Sequence, residues 1–488
     1  MTRGPRQDES PEALFSKAVE LDLASSREEA VLAYQAFLEV EPNDAGAWSN
    51  YGGLLMMMGR LGAAEDACRR ALAIDPDYAS AMVNLAGTWL RMGKADEAEF
   101  LSRRAIVKDP QDAEAPLVLA DCLMKRKNLQ GAREVLERLL QCRPSSQGAQ
   151  ARLNNLYIWQ NDWAQLRRLM VRQLDVFSGR EAEYEHSLLH LLFGEMQAGW
   201  AGYEARLDVP GRIRPERRFL QPRWRGEPFQ ERTLLVHYEQ GLGDTLMFLR
   251  YLPMVKALGG TVLLLVQPAL VDLVAAGSCA DQVVLEGAGL PPFDMQISLM
   301  SLPAVFHTDL DTIPAEIPYL AIPAVVPNRL RIDEALAAVE HGLRVGLAWA
   351  GNPDHKKDAD RSMPATSLRP LGGLQDVGWF SFQLEKAELP PLPGLVSLAP
   401  WLGCFSDTAY ALGQVDLMIT VDTSLAHLAG ALGIPVFLMV PFQPDFRWML
   451  HREDSPWYPS MRIYRQASPG DWDSVIQRIL SDLAGATG

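Results

Sequence analysis

Four prolines, Pro42, Pro76, Pro110 and Pro144, stand 34 residues apart, and no other feature restricts the fold of this chain as tightly. A fixed period of that length marks stacked supersecondary units, none of which buries its apolar face alone. Small residues recur in the same frame. Ala30, Ala64, Ala98 and Ala132 share one position, Gly52, Ala86 and Ala120 a second, and Ala71 and Ala105 a third. Tyr51, Leu85 and Leu119 fill a larger apolar position next to the second of these. Small side chains suit a face where two antiparallel helices press together, and a proline ends the second helix of each pair.

Thirty-four residues is the period of the tetratricopeptide repeat (TPR), and residues 11–146 resemble that family. The resemblance implies an α-solenoid with a concave groove for a peptide or protein, whose identity the sequence does not give. After Pro144 the frame decays. Residues 147–210 are expected to hold a degenerate unit and capping helices, beginning with Leu153, Tyr157 and Trp159. Residues 211–231, rich in Arg, Pro and Gly, read as a linker.

From Thr233 onward short apolar runs alternate with helical segments. Strands are expected at 234–238, 262–266, 282–285 and 295–297. A second set is expected at 344–349, 379–383, 395–398, 417–421 and 436–440. Such alternation implies parallel sheets flanked by helices. Two blocks, 232–325 and 340–485, predict two Rossmann-like lobes with a cleft between them, and ligands of such sheets bind at the carboxyl ends of strands.

Four segments fall at those ends. Gln240-Gly241-Leu242-Gly243-Asp244 follows the first strand. Its glycines suit a tight turn and a close-lying ligand, and Asp244 either faces the cleft or caps the next helix. Val421-Asp422-Thr423-Ser424-Leu425-Ala426-His427 joins a strand to a helix of small residues. The free N–H groups and positive end of that helix form an anion site, to which the Thr423 and Ser424 hydroxyls add donors. Asp422 and His427 orient the loop, or His427 is a buried structural histidine. The segment Trp349–Pro364 carries Gly351, Asn352, His355, Lys356, Lys357 and Arg361. It reads as a polyphosphate-binding loop or as a solvated charged loop, with Arg361 the better placed cation. The aromatic stretch 441–459 suits stacking on a base or sugar, and equally packing between lobes.

The Gly241-Leu242-Gly243-Asp244 and Asp422-Thr423-Ser424-Leu425-Ala426-His427 segments, in that order and in those lobes, resemble glycosyltransferase family 9, the heptosyltransferase-like enzymes. With its repeats the chain is similar to bacterial TPR-glycosyltransferase fusions, some of which modify flagellin. The resemblance implies a GT-B pair of lobes and inverting transfer from a nucleotide-sugar without a metal or other cofactor. It also implies Asp244 as catalytic base, a donor site at Thr423, Ser424 and Arg361, and an acceptor protein presented by the TPR groove. Transfer to a lipid-linked or small glycan, and a non-catalytic TPR scaffold with a degenerate transferase domain, are the other readings. The chain departs from the family in its shorter first lobe, in Ser424 where glycine is usual, and in its basic loop. The missing length is expected to remove the lipopolysaccharide-acceptor site.

The formal net charge of −15 argues against a nucleic-acid binder, which needs a basic face. The five cysteines are widely spaced with no C-x-x-C pair, which predicts free thiols rather than a disulfide framework or zinc site. The start of the chain lacks an apolar leader and no apolar run is long enough to span a membrane, so a cytoplasmic protein is expected. Asp309-Leu310-Asp311, Asp358-Ala359-Asp360 and Asp471-Trp472-Asp473 are read as structural, since none follows an apolar strand.

Overall fold

The computed structural model describes residues 10–24, 26–176, 179–213, 217, 219–277, 280–339, 342–353, 358–384 and 388–486. The chain divides into two compact units, Met1–Phe177 and Ser178–Gly488.

The described residues of the first unit form ten helices: α1 (Pro11–Leu23), α2 (Arg27–Val40), α3 (Ala45–Met57), α4 (Leu61–Ile74), α5 (Ala79–Arg91), α6 (Ala95–Lys108), α7 (Glu114–Lys125), α8 (Leu129–Cys142), α9 (Gln147–Trp159) and α10 (Trp163–Val176). Each period is one hairpin, and its proline lies two residues beyond the second helix. Ala30, Ala64, Ala98, Ala132, Ala86, Ala120, Ala71 and Ala105 are all wholly buried. At Gly52 a Cβ would lie 2.4 Å from Cys68 Sγ, so the helices meet there at glycine distance. The turns between paired helices need a left-handed residue. Gly59 and Gly93 supply it at φ 75° and 83°, while Lys127 and Asn161 hold it at 60° and 53°.

The second unit opens with α11 (Arg180–Leu192) and α12 (Met196–Tyr203). Both helices fall in the second compact unit. Trp200 is buried and meets Phe248, Phe446 and Trp457 edge-on at 5.7, 5.9 and 6.2 Å. Arg206, just beyond α12, is wholly buried and grips Glu239 through Nε and Nη2 at 2.5 and 3.0 Å. The expected linker 211–231 is likewise part of the structure over its second half. Trp224 and Phe229 are wholly buried, and the Trp224 N–H donates to the Gln296 carbonyl at 3.0 Å. Burial of two large aromatics outweighs the Arg, Pro and Gly content that suggested a free segment.

The first lobe is a parallel four-stranded sheet in the order β3-β2-β1-β4, made of β1 (Thr233–His237), β2 (Thr261–Val266), β3 (Gln282–Leu285) and β4 (Met295–Ser298). Around it lie α13 (Leu242–Phe248), α14 (Leu252–Ala257), α15 (Val271–Gly277) and the short α16 (Leu302–Val305). The long helix expected after β1 is broken into α13 and α14, with Pro253 opening the second piece.

After α17 (Arg329–Ala337) the second lobe is a parallel six-stranded sheet, β10-β9-β8-β5-β6-β7. Its strands are β5 (Leu343–Ala348), β6 (Val377–Ser381), β7 (Val396–Ser397), β8 (Leu417–Val421), β9 (Val436–Val440) and β10 (Met461–Arg465). The last was not expected, because Met461-Arg462-Ile463-Tyr464-Arg465 alternates charge with apolar residues as an edge strand does. The helices are α18 (Asp358–Arg361), α19 (Phe405–Leu412), α20 (Ser424–Ala431) and α21 (Trp472–Ala486). Val475, Ile476, Ile479 and Leu483 of α21 close the core over Val345, Trp379 and Ile419. Strand order reverses between β5 and β8, so the loops leaving those two strands flank a crevice at their carboxyl ends.

Lys127 pays a steric cost that Gly59 and Gly93 avoid. Lys127→Gly is expected to stabilise the helical unit by about 0.5–1 kcal/mol, read as a higher urea midpoint. An unchanged or lower midpoint would show that the turn carries no such strain.

Candidate functional site

The crevice is a cavity of about 500 Å3. From the first lobe it is lined by Gly241, Leu242, Gly243 and Asp244. From the second lobe come Gly351, Asn352 and Arg361 after β5, Phe382 and Gln383 after β6, and Asp422, Thr423, Ser424 and His427 after β8. The loop after β9 adds Gln443, Asp445 and Arg447. Two segments far apart in sequence and read separately thus come together in one place. Lys356, with His355 and Lys357, lies outside the described residues. Gln240, expected among the cleft residues, instead donates its side-chain amide to the Tyr203 hydroxyl at 3.1 Å.

The turn after β1 is built differently from expectation. The left-handed residue is Gln240, at φ 65°, and not a glycine. Gly241 is the N-cap of α13. Gly243 serves close approach: a Cβ there would lie 2.8 Å from His427 Cδ2 and 3.5 Å from Ser424 Cα. The start of α13 therefore rests against the start of α20, one helix from each lobe.

Asp244 does both things its position allowed. Its Oδ2 accepts from the Gly241 N–H at 2.9 Å, and its Oδ1 accepts from Arg447 Nη2. Burial raises the Asp244 carboxyl above its ordinary range, and the Arg447 guanidinium pulls it back. Arg447 Nη1 reaches Asp445 Oδ1 at 2.6 Å, so the guanidinium is gripped by one carboxylate from each lobe. Asp422 is half-buried, and its carboxyl is raised by burial and then by the charge of Asp445.

Thr423 is the N-cap of α20 and makes no side-chain cap bond among the described residues. The Ala426 N–H donates to the Thr423 carbonyl at 3.1 Å, and the Ser424 and Leu425 N–H groups start the helix uncapped at the cavity wall. Arg361 is held by Asp358 at 3.1 Å and donates Nη1 to the Asp422 carbonyl at 3.0 Å. Gly351 makes room for it, since a Cβ there would lie 2.6 Å from Arg361 Nη2. The loop after β5 is pinned by Gln383, whose Oε1 accepts from the Trp349 and Ala350 N–H groups at 3.2 and 3.1 Å. His427 is buried, accepts or donates at Nδ1 with the Tyr458 hydroxyl at 2.9 Å, and stacks on Trp448 at 5.4 Å. Burial, then the charges of Arg447 and Arg250, push it down to about 3. It is a neutral buried ring at the cavity wall and not a cation for phosphate.

The aromatic stretch 441–459 is packing. Phe446, Trp448, Trp457 and Tyr458 are buried, and Arg250 of the first lobe donates Nη1 to the Trp457 carbonyl at 2.5 Å while lying over Tyr458 at 4.6 Å. What the sequence reading missed in this stretch is Arg447 and Asp445, single charges among aromatics. The aspartate triplets make structural contacts: Asp358 holds Arg361, Asp471 accepts from the Ser474 N–H at 3.1 Å, and Asp309 accepts from the Leu310 N–H at 2.9 Å and from the distant Gln197 amide at 3.1 Å. Asp360, however, reaches the cavity lining. Among the described residues no group of three or more His, Cys, Asp or Glu is placed to hold a metal ion.

A family profile described as the middle TPR-like domain of cilia and flagella-associated protein 70 matches residues 14–197. This chain contains a TPR-like domain. Protein FlbA of Caulobacter vibrioides (strain ATCC 19089 / CIP 103742 / CB 15) is 24% identical over 331 residues, which is 62% of this chain and 54% of FlbA. The chain thus spans about half the length of that relative. Solved structures with similarity include a tetratricopeptide repeat protein from Parabacteroides merdae ATCC 43184 (13% identity, TM-score 0.35, 41% of this chain and 78% of that one). PilF of Pseudomonas aeruginosa is another (17%, TM-score 0.35, 42% and 94%), as is the type IV pilus biogenesis factor PilW (19%, TM-score 0.34, 42% and 93%). No helix among the described residues is long and apolar enough to cross a membrane.

His427 gives a pH prediction. Its folded value lies below the ordinary histidine value of 6.5, so the unfolded chain takes up the proton first. Its contribution is complete above about pH 6.5 and is lost as pH falls from there toward 3. His186 and His237, also depressed by burial, add slopes of the same sign. His427→Gln is expected to flatten the fall in unfolding free energy between pH 6.5 and 5 by up to about 1.4 kcal/mol per pH unit. Parallel pH profiles for variant and wild type would contradict this.

Proposed function

We propose that the second unit is a glycosyltransferase that moves a sugar from a nucleotide-sugar to a hydroxyl, by single displacement with inversion. The observation that carries the proposal is the facing of Asp244 from one lobe and the uncapped start of α20 from the other across one cavity. A leaving phosphate needs the second and an acceptor hydroxyl needs the first. A cavity of this size also suits a nucleotide-sized ligand.

In this reading the donor diphosphate lies against Thr423, Ser424 and the first N–H groups of α20, with Arg361 beside it. The acceptor O–H gives its proton to Asp244, its oxygen bonds to the anomeric carbon, and the bond from that carbon to the nucleotide oxygen breaks. The electron pair of that bond leaves with the nucleotide, whose charge is held by α20 and Arg361. Gly351 and Asn352 shape the floor beneath the phosphates. The acceptor is a protein, flagellin-like by the resemblance, brought by the TPR-like domain through its groove. The match to a TPR-like domain and to a bacterial relative agrees with this, and agrees equally with a scaffold in which the sheet unit has lost its activity.

Donor hydrolysis separates the two. The full chain, incubated with UDP-, GDP-, ADP-, CMP- and TDP-sugars in EDTA, is expected to release one nucleotide. Asp244→Asn should lower the rate by about 100-fold or more. If nothing is released and no nucleotide binds, the scaffold reading stands.

A further inference from the structure

Both oxygens of Asp244 are already engaged, one by the Gly241 N–H and the other by Arg447. A carboxylate paired with a guanidinium is a weaker base than a free one, because the cation favours its charged form. The Gly241 bond is a helix cap fixed by the turn. The Arg447 bond is the one that joins two lobes and ends in the cavity.

Three observations single out Arg447. Its side chain is nine-tenths buried yet lines the cavity. Its guanidinium lies between Asp244 and Asp445, and its Nε is buried with no hydrogen-bond partner among the described residues. Its guanidinium lies over Phe446, whose ring centre is 4.4 Å from the guanidinium carbon. The charge around it is unbalanced. The described cavity lining carries Asp244, Asp360, Asp422 and Asp445 against Arg361 and Arg447 only. A diphosphate entering this lining meets these four aspartates, and a cation that changes partner offsets them.

We propose that Arg447 is that cation: it binds the phosphate of the incoming nucleotide and, in doing so, releases Asp244. A guanidinium fork accepts phosphate as readily as carboxylate, so the exchange needs no rearrangement of the backbone. The nucleotide therefore binds first, and Asp244 becomes the stronger base once a donor is in place. This deepens the transferase reading and rests on it, since it requires a nucleotide in the cavity. Asp445 is the competitor that holds the fork in the empty state, and it also fixes the turn through the Arg447 N–H at 3.1 Å.

The test is calorimetric binding of UDP, GDP, ADP, TDP and inorganic pyrophosphate to the full chain and to three variants. Arg447→Ala is expected to weaken the best nucleotide at least tenfold. Arg447→Lys should recover part of that loss, because it keeps the charge without the fork. Asp445→Asn keeps the turn bond but removes a competing charge, and should tighten binding several-fold. A merely structural latch would not give that opposite sign. If a nucleotide binds wild type and folded Arg447→Ala or Arg447→Lys equally well, or if Asp445→Asn weakens binding as Arg447→Ala does, the role of Arg447 is overturned while the transferase reading survives. If wild type binds none of the probes, both fall. Should Arg447→Ala not fold, Arg447→Lys and Asp445→Asn carry the test.

Discussion

The hydrogen atom at Gly243 sets how closely the two parallel sheets approach. Any Cβ there would meet the ring edge of His427 at 2.8 Å, and that ring cannot retreat. It is stacked on Trp448 and tied to Tyr458, which packs 2.4 Å from where a Cβ of Gly430 would be. With the starts of α13 and α20 in contact, Asp244 is brought within reach of Arg447, 203 positions away in sequence. A larger residue at Gly243 would separate the lobes and part that pair. Interiors are packed too densely to absorb such a change silently.

The contact is reinforced from two directions. Arg250, nearly fully buried, crosses from the first lobe to the second and is satisfied by the carbonyls of Met247, Trp457 and Pro314. Trp200 of α12 fills the space among Phe248, Phe446 and Trp457, so a helix that precedes both sheets in sequence is part of their packing. The buried Arg206–Glu239 pair fastens the turn after α12 to the end of β1. Breaking such a pair leaves an uncompensated buried charge. The loop that carries Arg447 is held on the same aromatic platform, which explains how a single guanidinium is positioned between carboxylates of different lobes.

The repeat array was fully legible because its signal is periodic. A proline every 34 residues and an alanine at each contact report the same packing several times over. Nine strands were legible as short apolar runs, whereas β10 was hidden by Arg462 and Arg465. The second half of the expected linker was misread because its structure depends on two isolated large residues, Trp224 and Phe229, packed against residues that lie elsewhere in sequence, such as Phe306. The site followed the same rule. Gly243, Asp244, Thr423 and Ser424 sit at strand-to-helix junctions and could be read locally. Arg447 and Asp445 could not, because a charge pair in an aromatic loop acquires meaning only from Asp244 across the cavity. Gln240 shows the converse: adjacency to a glycine motif suggested a cleft residue, while its left-handed backbone and its bond to Tyr203 make it the pivot of the turn.

The central claim is that one ligand engages both lobes at this junction. Hydrogen–deuterium exchange of the full chain, with and without a saturating nucleoside diphosphate, tests it most directly. The account predicts slower exchange at the first-turn amides of α20, from Ser424 to His427. It predicts altered exchange at Gly241, whose N–H is held by the carboxylate that Arg447 would release. Slowing confined to the helices of residues 11–176, or no change at either junction, would contradict it.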